Sequence, residues 1–281
     1  MRVFILGLDA LDYYLVEKFD LRSLKQVEYG KSDVGDLVLI TPVVWASFIT
    51  GLMPSEHGVT ASRSWNWGLL ERAKELGIAL GLYRIKGKGR FLELLMDLVG
   101  INVKVHDKSG FESRRVSTIF DFADRPIAIN VPTYNEEPVV HENKRLFLES
   151  IGNGDLVGEL EDSVWEVYQK RRDLCFRLID GPWDLFMVYF HGVTDLLGHL
   201  YRAKLAKMWE IYAEMDSFVQ ELRERIGDDA LLMIVSDHGM KVLGGFGDHT
   251  NYGFYSLNQK LCLDHPKICD FAGIIRQKLG E

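Results

Sequence analysis

The chain has 281 residues, of which 47% are hydrophobic and 26% charged, enough for one large domain with a sizeable buried core. Its formal net charge of −8 argues against general binding to nucleic acid or anionic membranes, because both would repel an acidic surface. The three cysteines form no CxxC pair, which argues against a disulfide framework and for a reducing compartment.

The N-terminal apolar run covers residues 3–8 and is ended by Asp9. It is too short for a signal peptide, and no stretch approaches the roughly 18 uncharged apolar residues of a membrane helix. We therefore expect a cytoplasmic protein with no membrane and no nucleic-acid partner. The sequence leaves the oligomeric state open.

Four short runs rich in Val, Ile, Leu and aromatic residues predict buried parallel strands, since each ends in polar or turn-forming residues. They are residues 3–8, 127–131, 185–190 and 231–235. A further strand-like run at residues 37–40 directly precedes Thr41. Helical spacing predicts helices over 163–179 and 200–226, the second with Leu205 on its inward face, and a short final helix within 261–281.

Strands that alternate with helices predict an α/β fold, with a mostly parallel central sheet layered by helices on both faces. We assign residues 1–281 to a single domain, interrupted at about 62–115 by a helical insertion with a basic, glycine-rich turn. This insertion is either a lid near the site or a plain pair of surface helices. In such sheets, ligands bind beyond the carboxyl ends of the strands.

Acidic and histidine residues recur at these predicted strand ends. Asp9 follows the first strand, although it could instead cap a helix starting near residue 10. Asp195 and His199 are four residues apart and so share one face of a helix; the alternative is a capping Asp and a surface His. Asp237 and His238 follow the last of the four strands, in a segment that also fits a simple turn.

The last histidine of the set, His249, lies in a glycine-rich stretch, where close backbone approach to a metal is feasible. The alternative is an exposed histidine on a surface loop. Taken together, the motifs supply three carboxylates and three imidazoles, about the number of ligands that a pair of divalent metals needs. Asp and His ligands suit zinc, manganese and iron alike, so the residues leave the identity of the metal open.

Thr41 is the candidate nucleophile, because it stands between the strand-like run at 37–40 and a predicted helix. A helix N-terminus favours a phosphate, and a metal ion lowers the pKa of a bound hydroxyl. The alternative is that Thr41 only caps the helix, with Pro42 in its first turn. Ser47 is a rival hydroxyl, but we expect it to point away from the strand ends.

The ordered set of motifs resembles the alkaline phosphatase superfamily, and within it the type I phosphodiesterase/nucleotide pyrophosphatase branch. The Thr-Gly-x-x-Pro-x-x-His-Gly pattern is the most specific single match. The matching segments are residues 7–9, 41–42, 50–58, 195–199, 236–239 and 247–249.

The resemblance implies an alkaline phosphatase-like catalytic domain and a metal-dependent phosphodiesterase that acts on a small phosphoester substrate. One metal, usually zinc in this family, would be held by Asp195, His199 and His249. The other would be held by the set Asp9, Asp237, His238 and Thr41. Thr41 would attack phosphorus, and water would then hydrolyse the phospho-threonine. The resemblance also implies that His57 is structural.

The chain departs from the family pattern in two respects: an Asn is missing, and the aromatic residues that clamp a nucleotide are not identifiable. Many members carry an Asn shortly after the His-Gly pair, whereas residues 59–63 contain none, and Ser62 is the nearest polar stand-in. Trp45, Tyr134 and Tyr252 are candidates for clamping a nucleotide, with core packing as the competing interpretation. A phosphomonoesterase of the same fold and a non-catalytic binding protein therefore stay open beside the phosphodiesterase.

Overall fold

The structure is a computed structural model that describes residues 1–35, 37, 39–62, 102–105, 107–151 and 153–281. Its centre is a six-stranded sheet in the order β2-β10-β7-β1-β6-β5, and two small antiparallel pairs, β3 with β4 and β8 with β9, lie outside it. The strands are β1 (Arg2–Leu8), β2 (Glu28–Asp33), β3 (Thr60–Ser62), β4 (Asn102–Lys104), β5 (Pro126–Ile129), β6 (Leu185–Phe190), β7 (Ala230–Ser236), β8 (Met240–Leu243), β9 (Phe246–His249) and β10 (Tyr252–Leu257).

The four predicted core strands are confirmed as β1, β5, β6 and β7, and they pair in parallel. Two further strands of the sheet were not predicted. β10 runs antiparallel to both β7 and β2, and β2 forms the edge. The sequence Glu28–Asp33 is polar and contains a glycine, so it lacks the apolar signal of a buried strand even though it pairs at the edge.

Helices cover both faces of this sheet, which confirms the predicted α/β class. They are α1 (Tyr13–Lys18), α2 (Arg22–Lys25), α3 (Thr41–Thr50), α4 (Pro54–His57), α5 (Lys108–Arg114), α6 (Pro138–Ser150), α7 (Asp155–Ile179), α8 (Leu197–Tyr201), α9 (Leu205–Ile226) and α10 (Asp270–Leu279). A 3₁₀ turn spans Ile119–Phe122, and a π-helical turn spans Gly192–Leu196.

Strand side chains alternate between the two helical layers. On β1, Phe4 and Leu6 pack against α7 and α9, whereas Val3 and Ile5 pack against α3 and α10. Every residue of β6 and β7 is buried, because both of their faces are covered. The sheet thus holds the ends of β1, β6 and β7 rigidly side by side.

Two of the predicted elements differ from the structure. The helix predicted over 200–226 is divided into α8 and α9, and Leu205 is 41% exposed rather than inward, since it is the first residue of α9. Residues 37, 39 and 40 form no strand; Ile40 instead precedes α3, and its carbonyl accepts hydrogen bonds from Val43 and Val44. Thr41 therefore begins a helix, as predicted, but does not end a strand.

The predicted insertion at about 62–115 lies mainly outside the described residues, which resume at residue 102. Its described end consists of β4, which pairs with β3, and of α5. Among the helices of the described ranges, none combines the length and the apolar character needed to cross a bilayer.

Gly7 on β1 is required by the close approach of α3, and this contact gives a stability prediction. A Cβ atom at Gly7 would lie 2.9 Å from Cη2 of Trp45 and 3.0 Å from Cδ2 of Tyr189. We expect Gly7→Ala to lower the free energy of unfolding by about 1–3 kcal/mol, the range for overpacking a core.

Urea unfolding of the purified variant measures this effect. Gly273→Ala on α10 is the matched control, because no atom lies within 4 Å of a Cβ there and helix propensity alone would stabilise it. Equal losses of stability in the two variants would contradict the packing argument.

Candidate metal centre

The carboxyl ends of β1 and β7 bring three ionisable side chains together. Asp9 directly follows β1, and its N–H donates to the carbonyl of Phe190 at the end of β6, at 3.0 Å. Asp237 and His238 directly follow β7. All three side chains are fully buried. We call Asp9, Asp237 and His238 the inner cluster.

The atoms of the inner cluster face one another without hydrogen bonding. Nε2 of His238 lies 3.3 Å from Oδ1 of Asp9 and 3.7 Å from Oδ2 of Asp237. Within the described part of the chain, none of these three atoms has a partner with hydrogen-bond geometry, nor has Oδ1 of Asp237. Buried polar atoms are normally satisfied, so a set that converges on one point fits a cation better than it fits an empty core.

Three more residues form the outer cluster: Asp195, His199 and His249. Nε2 of His199 lies 3.2 Å from Oδ1 of Asp195 and 3.1 Å from Nε2 of His249. In each cluster the possible ligand atoms all lie within 4.8 Å of one another. Asp195 and His199 thus lie side by side, as their spacing predicts, and Asp195 is buried inside the π-helical turn rather than capping a helix.

His249 is placed by a strand, not by a glycine-rich loop as predicted. It is the last residue of β9, which pairs antiparallel with β8 so that His249 stands opposite Met240. The hairpin of β8 and β9 brings His249 over the inner cluster, where its ring stacks on His238 with 3.9 Å between ring centroids. The two clusters are therefore adjacent.

Backbone carbonyls select the tautomer of two of these imidazoles. Nδ1 of His199 lies 2.8 Å from the carbonyl of Gly247, and Nδ1 of His238 lies 3.1 Å from the carbonyl of Gly239. A carbonyl only accepts, so each Nδ1 must carry the proton and donate it. Each neutral ring then presents an unprotonated Nε2 to its cluster, which is the arrangement of metal-ligating histidines.

The ionised side chains of the inner cluster do not neutralise one another's charge. Burial, together with the charge of Asp9, holds the pKa of Asp237 well above its usual range. Burial opposes a charge on His238, but the carboxylates of Asp237 and Asp9 outweigh it and raise the pKa of His238 to about 10. Burial also opposes the charge of Asp9, yet His238 keeps the pKa of Asp9 below its usual value. Protons bound to Asp237 and His238 thus supply the positive charge that a metal ion would supply.

Two side chains hold Asp9 in position. The buried hydroxyl of Tyr189, on β6, donates to Oδ2 of Asp9, which leaves Oδ1 facing the cluster. The hydroxyl of Thr194 donates to the carbonyl of Asp9. Neither residue was predicted, because nothing in a strand or turn sequence shows what a tyrosine or threonine will contact so far away along the chain.

Asp12 is a structural residue that sequence analysis missed. It caps α1, and its Oδ1 accepts from the N–H of Leu15 at 3.1 Å. Its Oδ2 accepts from the hydroxyl of Tyr252 at 3.0 Å and from the N–H of Met240 at 3.3 Å. An Asp directly before a helical segment is a preferred N-cap residue and could have identified the cap, but not the other contacts. Asp9 is not the cap, so that interpretation of Asp9 is wrong.

Arg202 and Asp12 together form a structural support that we call the brace. Its Nε donates to the carbonyl of Met240 at 2.6 Å, and its guanidinium lies 3.6 Å from Oδ1 of Asp12. Arg202 directly follows α8, which carries His199, whereas Met240 begins the hairpin that carries His249. The brace therefore ties the two histidines of the outer cluster to the end of β1.

Thr41 is the first residue of α3, with its side chain half-buried. Trp45, one turn further along α3, packs on Tyr189 with 5.1 Å between ring centroids. Tyr189 in turn holds Asp9, so Thr41 lies one helical turn from a residue that contacts the support of the inner cluster. The role of Thr41 stays a prediction.

The remaining candidates have structural contacts. Ser47 is buried in the core, where its hydroxyl lies 3.0 Å from Nε2 of the buried His57. Trp45 is fully buried, which confirms packing for that residue. Tyr252 donates to Asp12 of the brace, and Tyr134 stacks on Phe120 with 4.4 Å between centroids.

Comparison with protein families gives one extensive match. The model of the family described as type I phosphodiesterase/nucleotide pyrophosphatase matches residues 37–250. The match includes Thr41 and the whole outer cluster, together with Asp237 and His238, and Asp9 lies before it.

Curated relatives match over a short stretch. The chain is 37% identical over 67 residues to "GPI ethanolamine phosphate transferase 3, catalytic subunit" of Mus musculus, which is 24% of this chain and 6% of that protein. It is 35% identical over 65 residues to "GPI ethanolamine phosphate transferase 2" of Kluyveromyces lactis, which is 23% of this chain and 8% of that protein. The match thus spans less than a tenth of the length of either relative.

Solved structures resemble the chain more broadly. Murine ectonucleotide pyrophosphatase/phosphodiesterase 5 is 13% identical with a TM-score of 0.49, over 86% of this chain and 58% of that one. Phosphonoacetate hydrolase from Sinorhizobium meliloti 1021 is 13% identical with a TM-score of 0.47, over 86% and 57%. The PH0037 protein from Pyrococcus horikoshii is 11% identical with a TM-score of 0.43, over 99% and 96%.

The raised pKa of His238 predicts the pH dependence of stability in the metal-free protein. The folded protein binds this proton up to a pH of about 10, whereas an ordinary histidine releases it near 6.5. The stabilisation is therefore complete below pH 6.5 and is lost as the pH rises toward about 10. Asp237, whose pKa is also raised, adds a loss of the same sign that starts at lower pH.

Chemical unfolding in the presence of a chelator, repeated across this pH range, measures the effect. We expect a falling free energy of unfolding in the wild type and a flatter profile in His238→Gln. A wild-type profile that rises with pH would show that the inner cluster does not hold the proton.

The brace gives a separate prediction. Arg202→Met removes the contacts to Met240 and Asp12, so the hairpin that carries His249 is held less firmly. We expect affinity for a divalent metal ion, measured by competition with a chromogenic chelator, to fall by about 10–100-fold, as for other residues that orient metal ligands. Arg223→Met, at an exposed position of α9, is the control and should leave affinity unchanged. Equal affinities in both variants would rule out the brace as a support of the site.

Proposed function

Because the chain belongs to the type I phosphodiesterase/nucleotide pyrophosphatase family, we propose that it is a metal-dependent phosphoester hydrolase, in the first place a phosphodiesterase or nucleotide pyrophosphatase. The observation that carries this proposal is the pair of adjacent clusters, each with three ligand atoms in reach of one cation. The supporting family match covers most of the chain.

The donor atoms divide between two cations. Asp195, His199 and His249 would hold one. Asp9, Asp237 and His238, with the hydroxyl of Thr41, would hold the other. Imidazole and carboxylate ligands suit zinc, and also manganese or iron. When bound, two divalent cations would lower the pKa of the Thr41 hydroxyl and neutralise the phosphoryl oxygens.

The residues of the chain then have distinct tasks. The Thr41 oxygen attacks phosphorus, the bond from phosphorus to the leaving alcohol breaks, and the proton of the hydroxyl passes through solvent to that alcohol. Water next attacks phosphorus, which restores the Thr41 hydroxyl and releases the phosphorylated product. The N-terminus of α3 favours the negative charge at this point, since the helix dipole is positive there.

A second candidate function differs only in the final acceptor. The short curated matches are named as ethanolamine phosphate transferases, and the same phospho-threonine could be attacked by an alcohol instead of water. A phosphomonoesterase of the same fold and a binding protein without catalysis also stay open. A small phosphoester substrate and a cytoplasmic location remain part of the proposal.

The nucleophile can be tested directly. We expect hydrolysis of bis(p-nitrophenyl) phosphate by the zinc-loaded protein, loss of that activity with a chelator, and a loss on the order of a thousandfold or more in Thr41→Ala. Ser47→Ala, the other hydroxyl of α3 considered as a nucleophile, should retain activity because Ser47 faces His57. Full activity in Thr41→Ala would defeat the assignment.

Trapping the intermediate separates the candidate functions. Rapid quenching followed by mass spectrometry should find, on Thr41 of the hydrolase and of the transferase alike, the phosphoryl group that remains after one alcohol has left. An added acceptor alcohol would be recovered in the phosphorylated product only for the transferase. A binding protein would show no label at all.

A further inference from the structure

His191 lies at the same sheet edge as the inner cluster but belongs to neither cluster. It directly follows β6, and the register that pairs Leu8 with Phe190 makes Asp9 and His191 neighbours on adjacent strands. The side chain is 1% exposed. A histidine buried at this edge without a place in the ligand sets requires another explanation.

A chain of hydrogen bonds from Glu137 through Arg171, which we call the relay, determines which nitrogen of His191 carries the proton. Oε2 of Glu137 accepts from Nε and from a terminal nitrogen of Arg171, at 3.1 and 2.7 Å. Another terminal nitrogen of Arg171 lies 3.1 Å from Nδ1 of His191. A guanidinium only donates, so Nδ1 must accept and the proton of the neutral ring must be on Nε2.

The resulting Nε2–H donor has no acceptor among the residues that the structure describes. Burial, with the charges of Arg171 and Lys144, lowers the pKa of His191 to about 3, which agrees with a neutral ring. A buried N–H of fixed orientation that lacks an acceptor is a ready donor for an oxygen of a bound ligand.

Lys144 provides a cation in the same region. It lies on α6, which packs on the π-helical turn, and Phe147, three residues further on, contacts the ring of His199 with 5.5 Å between centroids. Residues three apart share one side of a helix, so this side of α6 faces the outer cluster. Lys144 is half-buried, and no described carboxylate pairs with it. Its charge lowers the pKa of both Asp9 and His191.

We propose that the Nε2–H of His191 and the ammonium of Lys144 form an anion subsite beside the two clusters, which binds a second negative charge of the substrate. This inference rests on the proposed function and names the substrate class. The preferred substrate carries one more anionic phosphate oxygen than a dialkyl phosphodiester does. That charge lies either on the same phosphorus, as in a monoester, or on a neighbouring phosphorus, as in a diphosphate.

Three probes that differ in this charge test the proposal. Dimethyl phosphate carries one negative charge, methyl phosphate carries the second on the same phosphorus, and P1,P2-dimethyl diphosphate carries it on the next. Dissociation constants are measured by calorimetry on the zinc-loaded protein at about pH 8, where the monoester is mostly dianionic.

In Lys144→Met we expect affinity for at least one doubly charged probe to fall about tenfold or more, while affinity for dimethyl phosphate changes by less than about twofold. The doubly charged probe whose binding affinity falls identifies the position of the second charge. Lys144→Arg should restore affinity, since it keeps the cation. His191→Leu should weaken the same probe; if that variant does not fold, the two Lys144 variants still decide the question.

Lys278→Met is the matched control. Lys278 is also half-buried, but its carbonyl accepts from the N-terminus, at the opposite end of β1 from the clusters. Unchanged affinity of Lys144→Met for all three probes would overturn the subsite, as would an equal loss for singly and doubly charged probes.

Failure of the anion subsite can be distinguished from failure of the proposed hydrolase function. A protein that binds the doubly charged probes through Lys144 but hydrolyses no phosphoester would retain the subsite and refute the hydrolase. A protein that hydrolyses phosphoesters through Thr41 but binds all probes independently of Lys144 would retain the hydrolase and refute the subsite.

Discussion

The concentration of carboxylates at one buried edge of the sheet is the constraint on which the rest of the site depends. Asp9 and Asp237 lie in a fully buried position around a single point, with His238 between them. Like charges in such a place cannot all be ionised without a compensating cation. In the absence of a metal, the pKa of Asp237 and of His238 is raised, so protons supply the missing positive charge.

The sheet makes such an arrangement possible because its buried strands hold the ligand residues rigidly in place. β1, β6 and β7 are buried on both faces, and their ends stand next to one another in parallel register. Supports outside the clusters then fix each ligand. Carbonyls orient His199 and His238, Tyr189 orients Asp9, and the brace of Asp12 and Arg202 fastens the hairpin of His249. The geometry suits metal ions before any ion is bound.

Two helices approach this edge of the sheet from different sides, and each brings a functional side chain to it. α3 begins with Thr41 and approaches through Trp45, which packs on Tyr189. α6 approaches through Phe147, which contacts His199, and presents Lys144 on the same side. In the proposed reaction, α3 supplies the attacking oxygen, and α6 supplies positive charge for a substrate with more than one negative charge.

The sequence by itself determined the parallel core strands and the α/β class through their apolar runs, and it indicated five residues of the two clusters by a spacing of four or by a position at a strand end. It did not show β2, whose sequence is polar, nor β10 and the short hairpin of His249, which are strands of four to six residues that depend on pairing with their partners. Only the tertiary structure decided the brace, the orientation of Asp9 and the relay from Glu137 to His191. These depend on contacts between residues that the chain separates widely and the fold brings together, and no local pattern encodes such contacts.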